Sequence, residues 1–179
     1  MVPEASWLSP RLQPRASTIE GRGLFAVAAI GAGEVVIRLG GRVIDGQALA
    51  ALAPPYSSVA LGEDRHLLID PAHPVRYGNH GCDPNLWHLD AVTISARRAI
   101  APGEEALIDY AMHTGVEAWS MPCRCGSPLC RGVVTGRDWR LATLRAAYAG
   151  HFSPPLQARI DANLKPMDSP ARACDICAP

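Results

Sequence analysis

The chain has 179 residues, 48% of them hydrophobic, with 17 Lys plus Arg against 17 Asp plus Glu. This length supports one good core with some residues to spare, and zero formal charge excludes a broad nucleic-acid footprint, which needs clustered excess cations. No apolar run approaches the roughly 18–20 residues that span a bilayer. The start, MVPEASWLSP, has neither the basic nor the apolar stretch of a secretory leader, so an intracellular protein with reduced thiols is expected.

Residues 1–17, rich in Pro and Ser and without clear periodicity, read as an N-terminal arm. From Ile19 the chain turns β-like. GLFAVAAI and EVVIRL are short apolar runs with β-branched residues, joined by the turn IGAGE. GGRVID reads as a further turn and strand, QALAALAP as a short helix stopped by Pro54 and Pro55, and HLLID as a strand. RYGNHGCDPN is loop-like, because Gly, Asn, Asp and Pro punctuate it. NLWHL and AVTISARRAI are two more strands, and APGEE turns into ALIDYA. Many short strands at close spacing predict a mainly β, α+β fold and not a βαβ one. After the Cys-dense MPCRCGSPLCRG come helical patterns. Asp138 is the expected N-cap of one, with Trp139, Leu141, Leu144 and Tyr148 near helical spacing. Ser153 and Pro154 open another, carrying Leu156, Ile160 and Leu164. From Lys165 the sequence reads as a flexible tail, and no internal repeat is present.

Cys123, Cys125 and Cys130 form CxCx4C. A closed structural zinc site needs four ligands and favours thiolates, so three local cysteines are one short. Cys82, in RYGNHGCDPN, is the natural fourth, and zinc would then tie the loop at 79–85 to the segment after 120. The alternative is a set of buried free thiols acting as small hydrophobes, which a Gly- and Pro-rich segment suits poorly. Cys174 and Cys177 form a lone CxxC that reads as part of an exposed tail, with a redox or second metal role as the lesser alternative. Outside His80, the scattered histidines read as surface or core residues.

Four segments in order, EGRGLFA, RYGNHGCDPN, GEEALIDY and CRCGSPLCRG, resemble the hallmark segments of SET-domain protein-lysine methyltransferases with a zinc-binding post-SET segment. The resemblance covers about residues 18–136. It implies a SET-type β-fold over 18–112, in which the NHxC and DY segments pack in a knot-like crossing. A zinc-bound post-SET segment over 113–136, a C-terminal helical extension over 137–164 and a flexible tail over 165–179 would follow. The implied cofactor is S-adenosylmethionine, contacted by Asn79, His80 and Tyr110. Gly21, Arg22 and Gly23 would run along it through the backbone, where a missing Cβ permits close approach, and Val134 would cover the adenine. Without a cofactor, the glycines are an ordinary turn, and Asn79 and His80 belong to an Asx-type loop. One structural zinc is implied on Cys82, Cys123, Cys125 and Cys130.

Tyr110 is the implied catalytic residue, its hydroxyl orienting a lysine amine. A substrate channel would involve Leu39, Tyr77 and Ile108. Ile108 stands where many members carry Phe or Tyr, which leaves room for more than one methyl, and Leu39 stands where many carry Tyr. The short segment 46–69 implies a small, open peptide groove, and Glu63, Asp64, Glu104, Glu105 and Glu117 are either its acidic rim or solvated surface. The partner is a protein or peptide with a target lysine, without nucleic acid or membrane, and the C-terminal helices would brace the post-SET lid or form a homodimer face. One alternative is a catalytically weak or inactive binding module with the same fold, which Leu39 favours. Another is a zinc-binding interaction protein without a cofactor.

Overall fold

β-branched and apolar residues in short runs build thirteen strands in the computed structural model, which describes residues 1–53 and 56–164. Pro54, Pro55, Cys174 and Cys177 lie outside the described residues. In chain order the first strands are β1 (Trp7–Leu8), β2 (Leu12–Ala16), β3 (Arg22–Ala26), β4 (Val35–Arg38), β5 (Arg42–Ile44), β6 (Ser57–Gly62) and β7 (Arg65–Ile69). Then come β8 (Asn79–His80), β9 (Leu86–His88), β10 (Thr93–Ala96), β11 (Leu107–Ile108), β12 (Ser120–Pro122) and β13 (Val133–Thr135). The helices are α1 (Gly46–Ala50), α2 (Ala142–Ala147) and α3 (Pro154–Leu164).

The largest sheet has six strands in the order β1-β4-β10-β9-β11-β8. Its middle strand β10 is buried at all four residues, as a strand paired and covered on every side must be. Three further sheets are β2-β3, β5-β7-β6 and β12-β13. The mainly β expectation is met. The turns IGAGE and APGEE place Gly33 at φ 79° and Gly103 at φ 86°, a region open to residues without a Cβ. One core runs through these sheets, with Leu24, Ile30, Val36, Leu67, Leu86, Ile100 and Met112 fully buried. Among the described residues no helix is long and apolar enough to cross a membrane.

One junction positions the site. β11 runs parallel to both β8 and β9, pairing Ile108 with His80 and with Leu86. The segments RYGNHGCDPN and ALIDYA therefore lie side by side, forming the crossing the resemblance implies. Asn85 locks them together. It is buried, its amide nitrogen donates to Glu104 Oε1 (2.9 Å) and Glu105 O (2.8 Å), and its oxygen accepts from Leu107 N (2.8 Å).

The N-terminal arm departs from expectation. β1 pairs with β4, and β2 with all of β3. Pro14 sits in a strand with a single neighbour, where a missing N–H is tolerated. SSVALG, which carries no strong strand signal in the sequence, is the strand β6 on β7. Asp138 does not cap a helix by its side chain. It starts a short 3-10 turn (Asp138–Arg140), and α2 begins at Ala142 without a side-chain cap. Ser153 precedes α3 and its carbonyl accepts from Gln157 N (2.9 Å), but its buried hydroxyl has no partner among the described residues. Leu156, Ile160, Tyr148 and Phe152 pack into this chain's own core.

Candidate active site and metal centre

A cleft of about 240 Å³ opens where the segment after Ile19, the β8–β11 crossing and β12 meet. Ile19, Met121, Pro122 and the Tyr110 ring make its walls partly apolar, while Asn79, His80, Glu20 and Arg124 supply polar groups. Asn79 is oriented by three acceptors: Glu105 Oε1 (2.8 Å), Arg22 O (3.0 Å) and Glu20 O (3.2 Å) all face its Nδ2. Acceptors on that side fix the amide orientation and leave Oδ1 without a protein partner among the described residues, an acceptor at the cleft wall. Glu105 is held in turn by Ser17 Oγ (2.9 Å).

His80 is 3% exposed and both ring nitrogens are engaged. Tyr110 N donates to Nδ1 (3.2 Å), so Nδ1 is the bare nitrogen and Nε2 carries the proton, 3.2 Å from Cys82 Sγ. Burial holds its pKa below the ordinary value, against the pull of Asp109, and the ring is neutral. The Tyr110 hydroxyl donates to Gly78 O (2.9 Å), and burial pushes its pKa up to about 12.

The four cysteines Cys82, Cys123, Cys125 and Cys130 converge, with all Sγ atoms within 4.8 Å of one another. A tetrahedral zinc–thiolate site has S···S edges of about 3.8 Å, and Cys82 Sγ lies 3.8 Å from Cys123 Sγ. Donors surround the sulfurs: His80 Nε2, Arg131 N to Cys82 (3.4 Å) and Gly132 N to Cys130 (3.5 Å). Such N–H···S bonds stabilise thiolates more than thiols, so the donor set fits a zinc ion. Burial opposes ionisation of Cys125, but hydrogen bonds at Cys82 and Ser127 and to the neighbouring thiols bring its pKa down to about 7. Burial pushes the Cys82 and Cys123 thiols the other way, so the four do not ionise independently.

A family model for the SET domain matches residues 21–111, half of the chain. The chain belongs to the SET domain family. Similar proteins include the Drosophila melanogaster histone-lysine N-methyltransferase ash1, 35% identical over 91 residues, 47% of this chain and 4% of that protein. The histone-lysine N-methyltransferase trithorax of the same species is 34% identical over 131 residues, 64% of this chain and 3% of that protein. The chain thus spans a small part of the length of these relatives. Among solved structures, the methyltransferase domain of human histone-lysine N-methyltransferase SETMAR superposes with a TM-score of 0.53 at 20% identity. The match covers 68% of this chain and 56% of that one, which supports the fold.

Within this SET domain, Asn79, His80 and Tyr110 meet at the cleft, and the four cysteines meet beside it. Gly21, Arg22 and Gly23 do not line the cleft; Ile19 and Glu20 do, and the Arg22 carbonyl is spent on Asn79. Val134 is buried opposite Met121 in the β12–β13 pair, so it backs the wall that Met121 forms. Leu39, Tyr77 and Ile108, the residues expected to form a substrate channel, do not line this cleft. Leu39 and Ile108 are buried in the core, and Tyr77 packs against it with the Arg22 and Arg76 guanidiniums over its ring. Glu104 and Glu105, grouped in the sequence with surface acids, are structural clamps on Asn85 and Asn79. Their position in GEE beside the crossing was the available signal.

Behind Tyr110 lies a histidine pair that no sequence motif marks. His113 is tilted against the Tyr110 ring at 5.5 Å, and its Nδ1 stands 3.1 Å from His88 Nε2. His88 Nδ1 faces the Asp90 carbonyl (3.2 Å), which can only accept, so His88 carries its proton on Nδ1 and receives one from His113. Burial lowers the pKa of His88 to about 4 and of His113 to about 3. Unfolded histidines titrate near 6.5, so below that pH the unfolded chain takes up protons that the folded chain refuses. Stability is therefore full above about pH 6.5 and lost as pH falls towards the folded values, by about 1.4 kcal/mol per pH unit for each histidine. Thermal melts from pH 7 to pH 4.5 should show a falling Tm that His113→Gln flattens. An identical slope in wild type and variant would contradict this role.

Proposed function

We propose that the protein transfers a methyl group from S-adenosylmethionine to the side-chain amine of a lysine in a protein or peptide, with one structural zinc. The observation that carries the reading is the convergence of Tyr110, Asn79 and His80 on one cleft whose far wall belongs to the cysteine-bound segment. Histone-lysine methyltransferase relatives and the four ordered motifs support it. An intracellular setting keeps the four thiols reduced.

The cleft's mixture of groups suits an amphipathic cofactor. Asn79 Oδ1 would accept from its ammonium and Arg124 would meet its carboxylate, while Ile19, Met121 and Pro122 would cover apolar surface. When bound, S-adenosylmethionine supplies an activated methyl, so the protein's task is to position a neutral amine in line with it. Tyr110 does this as a fixed dipole and not as a base. With a pKa near 12 it keeps its proton at pH 7, and its hydroxyl offers the amine an oxygen lone pair while donating to Gly78 O. Free lysine is mostly protonated at neutral pH, and a buried approach disfavours the charged form. Ile108 brings no hydroxyl beside this segment, which is consistent with successive methylation.

Titration calorimetry with S-adenosylmethionine tests the reading against a zinc-stabilised module without a cofactor. Saturable one-to-one binding that His80→Ala weakens is expected. Absence of binding to zinc-loaded protein would overturn it.

A further inference from the structure

Asp109, the residue before Tyr110, is fully buried, and its carboxylate collects four donors. Arg131 grips it with both terminal nitrogens, Nη1 to Oδ2 and Nη2 to Oδ1, each at 2.7 Å. The Tyr148 hydroxyl donates to Oδ2 (3.1 Å), and Ala111 N donates to Oδ1 (2.9 Å). Tyr110 is therefore flanked on both sides by backbone that this carboxylate holds. Arg131 reaches further. Its Nε donates to Asp138 Oδ2 (2.8 Å), whose other oxygen accepts from Thr135 Oγ1 (2.6 Å), and its backbone N donates to Cys82 Sγ. One residue thus touches the catalytic segment, the metal centre and the start of the C-terminal extension, with every guanidinium nitrogen in use.

We propose that Arg131 and Tyr148 are positioning residues for Tyr110, holding Asp109 so that the zinc segment and the C-terminal extension form one frame with the catalytic segment. The proposal rests on the reading of Tyr110 as catalytic. A bidentate guanidinium fixes both oxygens of a carboxylate in one plane, which a point charge cannot do. Because methyl transfer here is mostly a matter of alignment, displacement of Tyr110 by a fraction of an ångström reads out in turnover before it reads out in binding. A buried ion pair that served stability alone would show the opposite pattern: a lower Tm and unchanged turnover of the folded enzyme.

Tyr148→Phe removes one hydroxyl and keeps the ring that packs on Phe152. At a temperature well below its melting point, its kcat should fall about tenfold, with the KM for S-adenosylmethionine changing less than about twofold. One zinc per chain should remain. Arg131→Lys, which replaces the fork by a point charge, should lose about a hundredfold in kcat. In both, the Tyr110 ring resonance in a ¹³C-tyrosine spectrum, assigned with Tyr110→Phe, should shift. The proposal is overturned if folded, zinc-loaded variants keep wild-type kcat and the Tyr110 resonance stays in place. If Arg131→Lys does not fold, Tyr148→Phe decides alone. If wild-type protein transfers no methyl group, the functional reading fails separately, and the Tyr110 resonance still tests the frame.

Discussion

Tyr110→Phe is expected to lose about a hundredfold or more in methyl transfer, because it removes the oxygen that the proposed function uses to align the amine. The ring would stay where His80 packs edge-on at 5.3 Å and His113 and Trp119 lean against it. The hydroxyl's bond to Gly78 O is lost, costing about 1 kcal/mol of stability. Cofactor binding should survive, since Asn79 and Arg124, the groups proposed to meet its ammonium and carboxylate, are untouched. Single-turnover kinetics with saturating cofactor separates these effects. A variant with the wild-type chemical rate would show that the hydroxyl has no part in the step.

Removing zinc is expected to have the second large effect. Met121, Pro122, Cys123 and Arg124 line the cleft and belong to the segment that the cysteines hold. This segment's regular structure is the two-stranded β12–β13 pair, tied back through Arg131 to Asp109, and it has no large core of its own. Structural zinc in small modules contributes roughly 10–16 kcal/mol of folding free energy, far more than this hairpin obtains from its few buried side chains. Cys82→Ser, or chelation, should therefore release residues from about 115 to 136 while β4, β10 and β9 stay folded. Cofactor affinity should fall with it. Hydrogen exchange by mass spectrometry should show lost protection confined to that segment. Elemental analysis finding active protein without zinc would refute the assignment.

The chemistry was more legible in the sequence than its supports were. Cys82 and CxCx4C could be joined from residue type and spacing alone, because a closed thiolate site needs four ligands. The strands β3, β4, β7, β9 and β10 announced themselves through dense β-branched and apolar residues. β1 and β2 did not. Their residues Trp7 to Ala16 include Pro14 and alternate poorly, and they become strands only because β4 and β3 offer edges to pair with. β6 is built largely of Ser, Ala and Gly, a composition that reads as loop until β7 templates it. Asp138 had the residue type and place of an N-cap, yet Arg131 and Thr135 compete for it and win, since a charged pair near the core outweighs a helix cap. The link from Arg131 to Asp109 spans 22 residues and the one from Tyr148 spans 39, separations at which no local pattern signals contact.

The most direct test of lysine methyl transfer is incubation of the zinc-loaded protein with methyl-labelled S-adenosylmethionine and a lysate, followed by peptide mass spectrometry. Labelled methyl groups should appear on lysine side chains of a small set of proteins, and disappear when Tyr110→Phe replaces the wild type. Absence of label from every lysine with the wild-type protein, or label that persists unchanged with Tyr110→Phe, would contradict it.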